Sequence, residues 1–291
     1  MCKAAYQNKQ LYFCSHLKIM TPVISIIFPA FNSASFIKEA IDSLLQQTFM
    51  DFELIIINDG STDNTEAIVQ SYTDSRIVYS KNETNQGLIY TLNKGIKMAR
   101  GAYIARMDAD DICLPNRLAV QKQWLDSHPE TAVVATLIEF IDENNTVTGY
   151  WKLDKLTITF AAIRKVMPYE NCIAHPSVMA RKSILETYLY NPEQQHIEDY
   201  DLWLRLIADG HRIEKIPQVL LQYRVHSSSI TVSKLRKNNF FFKHYAFKKR
   251  YIASRIKAKK FNAFDVSVSL QMVLDLLRGT GKEIKKALKK A

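Results

Sequence analysis

The sequence predicts an α/β chain: a doubly wound, mostly parallel sheet flanked by helices, followed by a basic helical extension. Three observations carry this. Short β-branched runs alternate with stretches of helical periodicity through the N-terminal third. Polar loops follow two of those runs where the strands end, and ligands in such sheets bind beyond the carboxyl ends of the strands. The excess positive charge, finally, is confined to one end of the chain.

The first strand is "VISIIF" (23–28), which ends before Pro29. In the helix behind it Phe36, Ile37, Ala40, Ile41, Leu44 and Leu45 share a face, with Ser35 as the expected cap. "FELIIIN" (52–58) is a second buried strand, broken by "DGSTDNT", where Asp63 and Glu66 have capping-box spacing before a helix over about 64–72. "RIVYS" is a third strand and "LIYTLNKGIKMA" a helix with Gly101 as its expected C-cap. "AYIARM" is a fourth strand that runs into the acidic stretch "DADD". This strand–helix rhythm predicts the parallel sheet. Further on, "TAVVATLIEFI" (131–141) reads as a strand and "HPSVMAR" (175–181) as a short strand behind a His-Pro turn. "IEDYDLWLRLIADG" (197–210) reads as a helix, with Leu202, Trp203, Leu206 and Ile207 on one face and Gly210 at its end.

With 291 residues, 47% of them hydrophobic, the chain is long enough for one large α/β domain with an appendage. Domain boundaries are expected at 1–20 (an N-terminal extension), 21–232 (the α/β domain, divided near 125) and 233–291 (the basic tail). The four cysteines, Cys2, Cys14, Cys113 and Cys172, are scattered without a C-x-x-C pair, as expected of reduced thiols in a cytosolic protein. No apolar run has the length of a membrane span, and the N-terminus lacks a signal-type apolar core.

Charge is unevenly spread. Residues 234–291 hold 17 Lys/Arg and 3 Asp/Glu, a net of +14, whereas the remaining 233 residues hold 22 and 26, a net of −4. A nucleic-acid-binding core is therefore not expected, and no such module is recognisable. The tail interleaves aromatics with Lys/Arg, and Ile284, Ala287 and Leu288 fall on one stripe among lysines. Such a helix suits an anionic membrane surface; a solvated lysine-rich end, or helices packed on the domain, is the competing reading.

Asp108 and Asp110 are two residues apart, so on extended backbone their side chains point the same way. Paired carboxylates at the mouth of a parallel sheet make a hard-oxygen site for Mg2+ or Mn2+, commonly shared with a substrate's phosphates. An ordinary acidic loop is the alternative. Asp59 stands just past a strand, where it is placed to accept hydrogen bonds from a base or ribose or simply to form a turn. Glu198 and Asp199 open a helix, where acidic residues are ordinary but also stay ionised, as a general base must. The glycine fingerprints of dinucleotide folds and P-loops are both missing.

The segments "PVISIIFPAFNSASFIKEAIDSLLQQTFMDFELIIINDGSTDNT", "NQGLIYTLNKGIKMARGAYIARMDADD", "LPNRL" and "ED", in this order over about residues 21–230, resemble the family 2 glycosyltransferases with the GT-A fold. The resemblance implies a metal-dependent inverting transferase that moves a sugar from a nucleotide-diphospho-sugar, expected to be a UDP-sugar, to an acceptor hydroxyl. It also implies roles for residues. Asp59 would bind the base, with Phe31 against its ring and Pro29, Ala30 and Asn32 completing the wall. Asn93, Ala109 and Asp108 would lie along the donor, Asp108 near the ribose and the metal, and Asp110 would be the principal ligand of Mn2+ or Mg2+. Asp199 would be the catalytic base, with Glu198 and His175 on the acceptor side. His226 would lie on a loop closing over the diphosphate. Acceptors would be glycans or lipid-linked intermediates, reached from the cytoplasm at the inner membrane face. Two departures bear on the donor: Phe31 stands where the family usually has Tyr, and Leu92 precedes Asn93 where many members have Arg. A catalytically silent domain that only binds sugar nucleotides, or a nucleotidyltransferase of related architecture, remains a distinct alternative.

Overall fold

The computed structural model describes residues 21–226 and 239–288, with side chains up to residue 286. The expected N-terminal extension, the 232/233 boundary and the side chains of Ala287 and Leu288 lie outside the described residues. The strands are β1 (Ile24–Ala30), β2 (Phe52–Asn58), β3 (Ile77–Lys81), β4 (Tyr103–Arg106), β5 (Ile112–Cys113), β6 (Thr131–Ile141), β7 (Val147–Tyr150), β8 (Met179–Arg181) and β9 (Arg212–Arg224). They form one sheet in the order β3-β2-β1-β4-β8-β6-β9-β5, with β7 paired to β6.

β1, β2, β3 and β4 pair in parallel. β8 runs antiparallel to both β4 and β6, which restores the original direction in β6, and β9 is parallel to β6. The carboxyl ends of six strands therefore point to one edge. Register aligns them there: Ala30 pairs with Asn58, Ile27 with Arg106, and Ile141 with Arg224.

Helices cover both faces. They are α1 (Ile37–Leu45), α2 (Thr65–Gln70), α3 (Leu88–Met98), α4 (Arg117–Ser127), α5 (Phe160–Val166), α6 (Lys182–Thr187) and α7 (Glu198–Ala208), then α8 (Phe240–Lys257) and α9 (Ala263–Leu288). Alternation along the strands divides the core. Ile26, Phe28, Leu54 and Ile56 pack on one side with Ile37, Ile41 and Leu44 of α1. Ile27, Ile55 and Ile57 pack on the other with Leu92 and Ile96 of α3. The C-terminal pair α8–α9 joins this second cluster through Phe247, Tyr251, Phe264 and Val268, beside Trp203 and Leu204 of α7. The described part of the tail thus shares the domain's core on one face.

Several local expectations change. β1 continues through Pro29 to Ala30. Ile27 O accepts from Met107 N at 3.2 Å, so the nitrogen of Pro29, two residues on, faces the side where β4 has already ended; no ladder bond is lost there. Ser35 does not cap α1; Ser33 O accepts from Phe36 N and Ile37 N instead. Asp63 and Glu66 form no capping box. Asp63 accepts from Thr65 N at 3.0 Å and from Ala34 N at 3.0 Å, while Glu66 pairs with Lys81. Gly101 is not the C-cap of α3: a Cβ there would stand 2.6 Å from Ser25 N and 2.7 Å from the Ile24 carbonyl carbon, so the glycine admits β1. Gly210, at φ 89°, does end α7. β9 was not foreseen, because "RIEKIPQVLLQYR" mixes charges and a proline into the strand; its buried Lys215 is neutralised by Asp154 at 2.7 Å.

Candidate active site

Two neighbouring stations are built at the common strand edge. The first joins the ends of β1 and β2. Asp59 is buried, its N–H donates to Ala30 O at 2.8 Å, and its carboxylate accepts from Asn82 Nδ2 (2.7 Å), Gln86 N (2.9 Å) and Gly87 N (2.9 Å). In this structure its first task is to hold the 82–87 loop. Four lone-pair directions are available to a carboxylate, so acceptor capacity remains. Asn32 takes a left-handed backbone at φ 49° and its Oδ1 accepts from Thr62 N at 2.8 Å. Asn32 N, in turn, donates to Ser61 Oγ and Ser33 N to Thr65 Oγ1, so the loops after β1 and β2 are stitched together. Phe31 is 46% exposed, its ring open to a flat partner, whereas Pro29 and Ala30 are buried beneath it.

The second station is the acidic turn after β4. The carboxylates of Asp108, Asp110 and Asp111 lie within 4.8 Å of one another. The backbone turns at 109–110 rather than running extended. The turn, not strand alternation, brings the carboxylates together, and it adds Asp111, which spacing alone did not single out. Ala109 faces the core, leaving its backbone toward the site. Asp111 is 1% exposed; its Oδ1 accepts from Arg224 N at 2.9 Å, and its Oδ2 has no hydrogen-bond partner among the described residues. An orphaned buried carboxylate oxygen costs stability unless a cation or proton meets it.

Arginines hold this turn. Arg106, buried at the end of β4, is ion-paired through Nη1 with Asp108 Oδ2. Arg117 donates from Nη2 to Arg106 O at 2.8 Å. Arg224, fully buried, donates to Asp110 O (2.8 Å), Asp142 O (2.9 Å) and Glu39 Oε2 (2.9 Å), and its guanidinium lies 4.7 Å over the Phe36 ring. His226 Nε2 is 2.9 Å from Asp110 Oδ2 and its ring is 5.0 Å from Phe36. His226 thus stands on the acidic turn itself.

The start of α7 faces the same charges. Asp199 Oδ2 accepts from Asn171 Nδ2 at 2.7 Å and its Oδ1 from Tyr200 N at 2.8 Å. Glu198 is buried beside it, after His196 at φ 70°. Burial and like charge act together here. Burial raises the Asp108 carboxyl above its ordinary range; Arg106 opposes this, while Asp110 and Asp199 add to it. Burial, then Asp110 and Asp108, push Asp111 up well above that range. Burial raises Asp199 against the pull of its hydrogen bonds, and burial together with the Asp199 charge pushes Glu198 up to about 7. Five carboxyl groups gather here, and Arg106 is ion-paired with one of them, Asp108. The hard-oxygen set, its orphaned oxygen and its raised pKa values fit a divalent cation held by Asp108, Asp110 and Asp111.

Two expected site residues are occupied otherwise. Asn93 Nδ2 donates to Tyr190 O and its Oδ1 accepts from Tyr190 N, both at 2.9 Å, so the amide is spent on pinning that backbone. His175 is buried, meets Tyr190 Oη at 2.7 Å and lies edge-on to Trp203; burial and Arg106 hold it well below its ordinary pKa, hence neutral. Both now read as wall supports. Leu92, where many family members have Arg, is buried and borders a small cavity that Arg106 also lines.

The chain is 32% identical over 262 residues to the uncharacterized glycosyltransferase MJ1057 of Methanocaldococcus jannaschii, covering 87% of this chain and 89% of that one. It is 34% identical over 218 residues to the O-antigen biosynthesis glycosyltransferase WbnJ of Escherichia coli, covering 73% and 84%. Among solved structures, S. aureus TarS in complex with UDP-GlcNAc superposes with a TM-score of 0.64 at 22% identity, over 79% of this chain and 66% of that one. The mannosyltransferase PcManGT from Pyrobaculum calidifontis, in complex with GDP-Man and Mn2+, superposes with a TM-score of 0.61 at 18% identity, over 89% and 75%. These two share the GT-A fold with the chain. The sequence profile of Glycosyl transferase family 2 matches residues 25–189, more than half of the chain, and the protein accordingly belongs to that family.

Proposed function

We propose that this glycosyltransferase is a metal-dependent, inverting enzyme that uses a nucleotide-diphospho-sugar, a UDP-sugar first among them, and transfers to a hydroxyl of a cell-surface glycan or polysaccharide precursor. The observation that carries the reading is the charge-deficient cluster of Asp108, Asp110 and Asp111, set within electrostatic reach of Asp199. Supporting it, similar proteins are named for O-antigen biosynthesis and as the putative glycosyltransferase EpsE of Bacillus subtilis, and the TarS structure carries UDP-GlcNAc.

The donor's base would lie against Phe31, with Asp59 accepting from its N–H groups and the Asn32–Thr62 stitch keeping that wall in place. Asp108, Asp110 and Asp111 would hold Mn2+ or Mg2+, which when bound neutralises the diphosphate leaving group. Arg224 keeps the Asp110 backbone in register for this, and His226 restrains the Asp110 carboxylate. Asp199 would accept the acceptor hydroxyl's proton as that oxygen attacks the anomeric carbon from the face opposite the leaving group. Asn171 fixes the Asp199 carboxylate, and burial raises its pKa, which makes the ionised form a stronger base. Configuration is inverted without a covalent sugar–enzyme intermediate. The enzyme would act in the cytoplasm, the basic C-terminal region bringing it to the membrane surface where lipid-linked acceptors reside.

Thermal unfolding with UDP, GDP and dTDP, each with and without Mn2+, tests the donor assignment. A ligand at about 100 times its Kd adds roughly 2.7 kcal/mol to the native state. A Mn2+-dependent rise with UDP that disappears in Asp110→Ala is expected. No rise with any nucleotide would end the transferase reading and favour a silent domain, and a rise with GDP alone would replace the UDP assignment.

A further inference from the structure

Helix α9 buries acids beside Phe264 and Val268 and leaves an apolar stripe outside. A surface helix ordinarily buries its apolar stripe and shows its charges to water. Here Asp265, Gln271 and Asp275 are buried. Asp265 accepts from Tyr251 Oη at 2.5 Å and Arg255 Nε at 3.2 Å, and Asp275 accepts from Lys248 Nζ at 2.7 Å. The opposite face carries Val266, Leu270, Val273 and Leu277, exposed by 46%, 64%, 49% and 62%, and Ile284 extends it at 55%. Steps of four, three, four and seven residues keep these side chains on one stripe about 27 Å long. Gly279 belongs to the buried face, where a Cβ would stand 2.6 Å from the Phe242 ring, so α8 packs closely there and the stripe is left outward.

The charge of the α8–α9 pair selects its occupant. Between residues 239 and 286 the exposed charged side chains are ten Lys/Arg and one carboxylate, Glu283. Arg278, Lys282, Lys285 and Lys286 follow the stripe on α9 itself. A second copy of the chain would set cations against cations. Nucleic acid would match the lysines but not the leucines. An anionic lipid surface matches both. No helix among the described residues is long and apolar enough to cross a membrane, which leaves a helix lying in the interface.

We infer that the outward face of α9 is the membrane-docking surface, with Leu270, Val273 and Leu277 at the acyl boundary and the surrounding Lys/Arg at headgroup level. This rests on the membrane-surface part of the function proposed above and on none of its donor chemistry, so loss of vesicle binding and loss of nucleotide binding are separate outcomes.

Vesicle flotation of the full chain tests it, with phosphatidylcholine alone and phosphatidylcholine mixed with phosphatidylglycerol. The expected result is binding to the mixed vesicles, weaker by about tenfold or more in Leu270→Ser/Leu277→Ser. Lys282→Glu/Lys285→Glu/Lys286→Glu should also bind more weakly, with a smaller dependence on salt. Both variants change exposed side chains and should keep the wild-type circular dichroism, melting temperature and nucleotide response. Absence of wild-type binding to either vesicle would overturn the inference, as would binding indifferent to the Leu→Ser pair. A concentration-dependent dimer in sedimentation velocity, dispersed by the Leu→Ser pair and without vesicle binding, would assign the stripe to contact between copies instead.

Discussion

The two stations of the site are built on opposite principles. Around Asn32 and Asp59 no buried side-chain polar atom lacks a partner among the described residues: three donors converge on the Asp59 carboxylate, and side chains tie the loops after β1 and β2 together. Around Asp108, Asp110, Asp111, Glu198 and Asp199, carboxyl groups crowd together, Arg106 pairs with Asp108, and an oxygen of Asp111 has no partner among the described residues. The first station is finished before any ligand arrives, as suits a rigid wall for a flat, neutral base. The second is left unbalanced, and the imbalance is what would draw a cation; with burial, it raises the carboxyl groups of Asp108, Asp111, Glu198 and Asp199 above their ordinary range. Rigidity comes from satisfied hydrogen bonds, and reactivity from charge deliberately left uncompensated.

The largest effect should come from the unbalanced station. Asp199→Asn keeps the size and one of the two hydrogen bonds, to Asn171 or to Tyr200 N, but removes the proton acceptor. Turnover of an identified acceptor should fall by about 10³-fold, within the range for general-base loss, while nucleotide binding by thermal shift stays as in wild type. Loss of both together would mean that the two stations are not separable. Asp110→Asn is expected next, lowering turnover about 10²–10³-fold and abolishing the Mn2+ dependence of nucleotide binding. A variant that keeps the metal-dependent shift would move the ligand role to Asp108 and Asp111.

Arg106→Met probes the imbalance itself. Removing one partner of a buried pair costs about 3 kcal/mol, read by urea unfolding without metal. Saturating Mn2+ should recover part of this loss, because the ion supplies the missing positive charge; an equal loss with and without metal would make Arg106 a packing residue only. The pH dependence of the metal-free protein follows from Glu198. Its carboxyl titrates at 4.5 when unperturbed and near 7 in the fold, so between these values the native state holds the extra proton. Stability should therefore fall as pH rises through that window and level off above it, by about 3 kcal/mol. Glu198→Gln should flatten the slope; an unchanged slope would assign it to other groups.

The smallest effect is expected at the finished station. Asn32→Ala removes the bond to Thr62 N and leaves alanine at φ 49°, costing about 1–2 kcal/mol with no pH or metal dependence. A metal-dependent loss there would break the division between the stations.

Much of this was legible in the chain. The four parallel strands, β6 and α7 follow from local periodicity, and "NDGSTD" and "DADD" are visible as polar loops where strands stop. Capping was less legible: Asp63 and Gly101 have the right residue types, but longer-range partners claim them, Gly101 through contact with β1, and at α1 the Ser33 carbonyl stands in for the Ser35 side chain. β9 was hidden because its charged residues are buried in pairs whose partners lie far away in sequence, as with Lys215 and Asp154. In α9 the hydrophobic period was readable, but not which face is buried: the acids turn inward because Lys248, Tyr251 and Arg255 wait on α8.

By itself, then, the sequence determined the strand–helix rhythm, the family, and the identity of the acidic turn, because these depend on residue type and short spacing. The tertiary structure decided that Asp111 joins Asp108 and Asp110, that Arg106 and Arg224 hold them, that Asn93 serves Tyr190, and which side of α9 meets solvent. Each of these is a choice between partners, many of them distant along the chain, and electrostatic and hydrogen-bonding partners are selected by proximity in the fold, which local sequence pattern does not encode.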